Sequence, residues 1–206
     1  MRNVTLRLLA AALWLAAVPA AAQRVASVAP AAEASPDAAR VLVSEGETML
    51  VRGASFSTPV RPEVPIRSGD RIRTGADGRV QLRFADGALI SIQPGSDFRV
   101  EQWAFDASRQ RSFFQLVQGS VRAVSGAIGK RDRDDFRLKT PTATIGIRGT
   151  EFTVDETACP SAGCPAGVEP GLTVAVIAGR VAVTNSAGSV EVPAGATLRL
   201  RDARTV

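Results

Sequence analysis

From Val41 to Leu200 the chain alternates apolar and polar residues in short runs, and the alternation has a period of two. Val80, Leu82 and Phe84 form one set; Ala88, Ile90 and Ile92 form another; Phe98 and Val100 a third. Phe114 and Leu116, Val121 and Ala123, Phe136 and Leu138, and Ala143, Ile145 and Ile147 follow. Phe152 and Val154, Val174 and Val176, Val181 and Val183, Val190 and Val192, and Leu198 and Leu200 complete the series. A period of two sets one face against a core and the other in water, so each run predicts a strand. Gly, Asp and Asn break the runs about every 8–12 residues, the beat of a sandwich, barrel or solenoid. Asp77-Gly78 and Asp86-Gly87 both read as hairpin turns, and Pro193-Ala194-Gly195 marks a further break. No window carries a helical stripe. The predicted fold is all-β, with short, mostly antiparallel strands in a twisted sandwich or a β-solenoid-like wrap. Periodicity alone does not separate those two forms, and the repeat is too irregular to assert a solenoid.

The N-terminus follows different rules. Arg2 and Arg7 precede an apolar run from Leu8 to Val18, and Pro19 leads into Ala20-Ala21-Ala22. That is the layout of a cleavable secretory signal peptide over residues 1–22, with cleavage before Gln23. The run is too short to span a bilayer, which takes about 20 apolar residues. Residues 23–40, rich in Ala, Ser and Pro, predict a flexible lead-in. Residues 41–200 then form one domain and 201–206 a tail.

Export changes how the charge is read. The 206 residues carry a formal net charge of +5. Without Arg2 and Arg7, 23 basic residues face 20 acidic ones, leaving about +3. Many arginines interleave with apolar residues, as in Arg79-Val80-Gln81-Leu82-Arg83-Phe84, which sets them on the wet face of a strand. Nucleic acid is therefore not expected as a partner, and no membrane span is expected after cleavage.

Several blocks read together as a known pattern. Residues 69–82, Gly-Asp-Arg-Ile-Arg-Thr-Gly-Ala-Asp-Gly-Arg-Val-Gln-Leu, run into Phe84-Ala85-Asp86-Gly87-Ala88-Leu89-Ile90-Ser91-Ile92. Leu116-Val117-Gln118-Gly119-Ser120-Val121-Arg122 is the second block, and the run from Thr140 to Val154, centred on Ile145-Gly146-Ile147-Arg148-Gly149-Thr150-Glu151-Phe152, is the third. A fourth spans Val174 to Val183, and Val192-Pro193-Ala194-Gly195 closes the series. In this order the blocks resemble the FecR-domain family, named for a periplasmic regulator of iron–siderophore signalling. The resemblance implies an all-β extracytoplasmic module that senses or binds a partner, with no catalysis. The full regulator has a cytoplasmic anti-sigma segment before a membrane span and a receptor-contacting region after the domain. Neither is recognised in this sequence, so the expectation is a stand-alone periplasmic module. Its expected partner is another envelope protein, a receptor or a membrane signalling protein, with peptidoglycan or an outer-membrane assembly as the alternative.

Candidate chemistry is sparse. Histidine and tyrosine are absent, which removes Ser–His and Cys–His nucleophile pairs and His-ligated metals. Neither an enzymatic activity nor a cofactor is expected. Cys159 and Cys164 are the only cysteines; their C-x₄-C spacing is not that of thiol oxidoreductases, and in an oxidising compartment they predict one disulfide. That bond is expected to clip the loop between strands ending near Val154 and beginning near Leu172. Gly126-x-x-Gly129-Lys130 lacks the spacer and Ser/Thr of a phosphate loop, and the charges from Lys130 to Asp135 lack the order of a calcium loop. Arg148 and Glu151 are the candidate partner contacts. The plainer alternative makes them a charged pair holding a corner set by Gly146 and Gly149.

Overall fold

A computed structural model describes residues 37–53, 56–132, 134–159, 164 and 166–205. The signal peptide expected at 1–22, and the lead-in up to residue 36, lie outside the described residues. Fourteen strands join in one hydrogen-bonded network that does not close into a barrel. The all-β expectation holds. The apolar partners in every predicted run point inward, with Val190 and Leu198 the two that are only partly buried.

The strands sort into two layers. The first contains β1 (Ala39–Glu45), β4 (Pro65–Ile66), β6 (Arg79–Phe84), β7 (Leu89–Ile92) and β14 (Thr197–Leu200). The second contains β2 (Thr48–Arg52), β3 (Phe56–Pro59), β5 (Arg71–Thr74), β8 (Asp97–Phe105), β10 (Phe136–Lys139) and β13 (Gly188–Pro193). Three long strands, β9 (Gln110–Val124), β11 (Thr144–Thr157) and β12 (Gly171–Asn185), belong to both. The first half of β9 pairs with β8 and β10, and its second half pairs with β7 and β11. Likewise β12 holds β14 at its start and β13 at its end.

The layers face each other across an aromatic spine. Phe114 of β9 meets Phe84 of β6 with ring centroids 5.2 Å apart, and Phe136 of β10 meets Phe152 of β11 at 6.2 Å. Phe98 and Phe136 also contact Phe114, linking these pairs within the second layer. Each fully buried side chain of this size contributes roughly 1.5–3 kcal/mol.

Glycine sets where a long strand changes layer. Gly119, Gly149 and Gly179 stand at a constant interval of thirty residues, and all three have positive φ. At Gly119 a Cβ would lie 2.4 Å from the Cα of Ser96, and at Gly179 it would lie 2.2 Å from the carbonyl oxygen of Gly149. No other residue fits such a bend without moving backbone. The Gly119 bend and the β7–β8 turn close the sandwich at one end. The Gly149 and Gly179 bends close it at the other, because β11 runs antiparallel to β9 and pairs Glu156 with Gly119.

Further residues cover each end. Helix α1 (Ala127–Arg131) inserts Ile128, which is fully buried. The Asp86 carboxylate accepts from the N–H of Ala88 at 3.1 Å and of Ile128 at 3.2 Å, while its carbonyl accepts from Ala127. At the other end Glu156 is buried and accepts from the Thr142 hydroxyl at 2.7 Å.

Three expectations need correction. Asp86-Gly87 does turn a hairpin between β6 and β7, but Asp77-Gly78 does not. It joins β5 to β6, which do not pair; β5 pairs with β2 and β8. The turn carries the chain from the second layer to the first, and the Asp77 carboxylate accepts from the N–H of Glu47 at 3.1 Å. Helix α1 occupies a segment in which no helix was expected; five residues are too few to show a helical period. The domain also starts earlier than Val41. Ala38 and Ala39 are buried, the Ala38 N–H donates to the Ile66 carbonyl, and Ala39 opens β1.

The cysteines form the expected disulfide, with Cα atoms 4.9 Å apart. It lies within the connection from β11, which ends at Thr157, to β12, which begins at Gly171. Titration of the oxidised protein with a thiol reagent under denaturing conditions is expected to find no free thiol; two free thiols would refute the bond. So small a ring stabilises the fold by only about 2 kcal/mol, so reduction should lower the melting temperature without unfolding the domain.

Candidate interaction surfaces

Because the core lies between the layers, the chemistry available to a partner sits on two outer faces and on the terminal strands. Neighbouring partners in register place side chains in rows across each face. On the first layer one row runs Val43, Gln81, Ser91, Arg122, Thr153, Ala175, Thr197. The next contains Arg83, Leu89, Val124 and Glu151. Three of the six exposed large apolar residues among the described residues are on this face: Val43 at 41% exposure, Val124 at 37% and Ile177 at 49%. Its central charges cancel, since Arg122 forks onto the Glu151 carboxylate.

The second layer is built differently. One row runs Val51, Arg71, Arg99, Gln115, Lys139, Thr144, Thr184, Ser189. Arg111, Phe113 and Arg137 lie beside it, and Arg148 pairs across with Arg180 at one end. Carboxylates hold some of these cations. Arg71 forks onto Asp97, Lys139 lies 3.7 Å from Glu101, and Arg180 lies 3.3 Å from Glu191. The hydrogen bonds to Asp97, partly opposed by burial, hold the Arg71 guanidinium above its ordinary value. Arg99, Arg111, Arg137 and Arg148 have no carboxylate partner among the described residues. This face is basic and hydrophilic.

The fold separates the two candidate contacts. Arg148 precedes the Gly149 bend and sits on the basic face, opposite Arg180. Glu151 follows the bend and sits on the other face, bound to Arg122. Four residues of sequence therefore cross the thickness of the sandwich, and the pair holds no corner together. Arg122 was missed because it lies 29 residues from Glu151 in sequence. The interval of thirty between Gly119 and Gly149 was the available signal, since it brings the two post-glycine segments side by side.

The sheet network ends on β3, β4, β13 and β14, each with a single neighbour. Among them β13 is the longest, with six residues against four for β3 and β14 and two for β4. Among the described residues no helix is long and apolar enough to cross a membrane.

No curated protein matches the chain. Two solved structures of a candidate anti-sigma factor from Parabacteroides distasonis ATCC 8503, at 2.50 Å and 1.65 Å resolution, align with a TM-score of 0.45 each. Identity is 17% and 16%, with 65% of this chain and 61% of the other covered in both cases. The chain thus spans less than two thirds of the length of those proteins. The family model described as FecR protein matches residues 70–182, from Asp70 at the head of β5 into the second half of β12. That match takes in all three bent strands and more than half of the chain, and the protein belongs to the FecR family.

Proposed function

We propose that this protein is a non-enzymatic regulatory module of envelope signalling, exported to the periplasm and acting by contact with another envelope protein. Membership of the FecR family over residues 70–182 carries this reading. The fold supports contact: arginines and other polar residues line its outer faces, while Phe84, Phe98, Phe114, Phe136 and Phe152 fill the core. A partner strand added alongside β13 gains main-chain hydrogen bonds from an edge already aligned on β12, which is the usual way an open sheet recruits a peptide. The apolar residues Val124 and Ile177 on the first-layer face offer a second anchoring area.

Two measurements test this. Expressed in a Gram-negative host, the chain is expected in the periplasmic extract, with an N-terminus at Gln23. Recovery of the full-length form in the cytoplasm would overturn the export reading. A photo-crosslinking residue at Ser189 on β13 is then expected to yield one adduct with an envelope protein, and the same residue at the exposed Ser108, in the β8–β9 turn, none. Absence of an adduct together with co-sedimentation with purified sacculi would instead favour a structural envelope role.

A further inference from the structure

The cations of the second-layer face are more than solvated strand residues. Arg111 and Arg137 both hold their guanidinium carbons over the ring of Phe113, at 5.0 Å and 4.9 Å from its centroid. Phe113 is directly opposite Arg137 in the β9–β10 register, and Arg111 lies two residues before it on the same strand. Each cation–π contact is weak at an exposed site, yet together they fix two like charges around one ring. Neither guanidinium meets a carboxylate among the described residues. Arg111 reaches only the side-chain oxygen of Gln102, at 3.4 Å. Like charges held close with no counter-ion form a preorganised receptor for an anion, because both forks can donate to it without first giving up a partner.

The rest of the face adds Arg99, which has no carboxylate partner among the described residues, and Lys139, which lies 3.7 Å from Glu101. Adjacent strands lie about 4.8 Å apart, so Arg99 on β8 and Lys139 on β10 flank Gln115 at about 10 Å from one another. Beyond Lys139 the surface dips into an open depression of about 350 Å³, where Arg137, Lys139, Thr144 and Thr184 line the wall together with one carboxylate, Asp134. An interface for a folded protein needs apolar anchors at its centre. On this face the Phe113 ring is capped by guanidinium groups, whereas the exposed Val43, Val124 and Ile177 lie on the opposite face. A hydrated chain with regularly spaced charges fits this surface better than a protein does.

We infer that the β8–β9–β10 face, centred on Arg111, Phe113 and Arg137, binds a linear acidic polysaccharide through its carboxylates. This surface is distinct from the β13 edge proposed above for a protein partner, and its test does not depend on that reading. Binding of the chain lacking residues 1–22 to polygalacturonate is measured by biolayer interferometry, with neutral dextran as control. The expected result is binding to polygalacturonate alone, weakening as salt rises. The Arg111→Gln/Arg137→Gln double variant should bind at least tenfold more weakly, and Arg83→Gln on the other face should bind as the parent does. Melting curves of the variants confirm that they fold; Phe113→Leu, which removes the shared ring and leaves both charges, should lose part of the affinity. Equal binding by parent and double variant, or no binding to polygalacturonate, would overturn the inference. Tighter binding to polyglutamate, lipopolysaccharide or duplex DNA than to polygalacturonate would overturn the choice of ligand class.

Discussion

Gly179→Ala is expected to lower the melting temperature by about 6–12 °C. Gly179 has φ near +80°, where an L side chain costs roughly 1–2 kcal/mol. A Cβ there would also lie 2.2 Å from the Gly149 carbonyl oxygen and 3.0 Å from the Thr150 Cα, both backbone atoms that can yield only if β11 and β12 separate. The combined cost is about 3 kcal/mol, and each kcal/mol shifts the midpoint of a domain this size by roughly 2–4 °C. Gly195 supplies the control. Its φ is also near +80°, but a Cβ there meets nothing within 4 Å, so Gly195→Ala should show the conformational cost alone, about 1–2 kcal/mol. Calorimetry of the two variants separates the effects. Equal shifts would mean that close approach between the bent strands contributes nothing.

The second large effect belongs to Asp70. Its side chain is 3% exposed and accepts three hydrogen bonds, two from Arg52 and one from Arg67. Arg52 donates to both carboxylate oxygens at 2.8 Å and also reaches the Pro65 carbonyl at 2.7 Å, while the Arg67 N–H donates to Asp70 at 2.9 Å. Side-chain hydrogen bonding to Asp70 holds the Arg52 guanidinium above its ordinary value, against the opposing pull of burial. Asp70→Ala leaves these donors facing a hole. Breaking a buried pair costs about 3–5 kcal/mol; because Arg52 is one third exposed, the lower end of that range, about 3 kcal/mol, is expected. Urea denaturation should show the loss, whereas Arg180→Ala, which removes an exposed pair with Glu191, should stay within about 1 kcal/mol of the parent. A double cycle with Arg52→Ala tests the assignment, since additive losses would show that the two side chains do not act as a pair.

Asp70 also shows how much of the site could be read in advance. The block beginning Gly69-Asp70 was recognisable as a pattern, but nothing in it points to Arg52, which lies 18 residues earlier. The same holds for Glu151 and Arg122. Sequence proximity suggested Arg148 as the partner of Glu151, and the bend at Gly149 sends those two to opposite faces. Alternation set many arginines on the outer faces of strands, and Arg111 and Arg137 do lie on such a face. That Arg111 and Arg137 share one ring depends on the parallel pairing of β9 with β10, which local pattern does not encode.

The turns follow the same logic. Asp86-Gly87 and Asp77-Gly78 have nearly identical local chemistry, yet one closes a hairpin and the other changes layers. A tight turn reverses the chain in either case, and the partner of the next strand depends on what is already in place beside it. For β6 that partner is β1, aligned from Ala39↔Phe84 to Glu45↔Arg79.

The alternation that runs from Val41 to Leu200 therefore determined, by itself, the class of structure and the face of each strand that is buried. Period two follows from backbone geometry within a single strand, so it survives whatever the strand pairs with. Tertiary structure alone decided which strands are neighbours, where β9, β11 and β12 pass from one layer to the other, and which charges meet. Those outcomes depend on the close approach of backbones at Gly119, Gly149 and Gly179 and on registers set across the sheet, and both are properties of contacts distant in sequence.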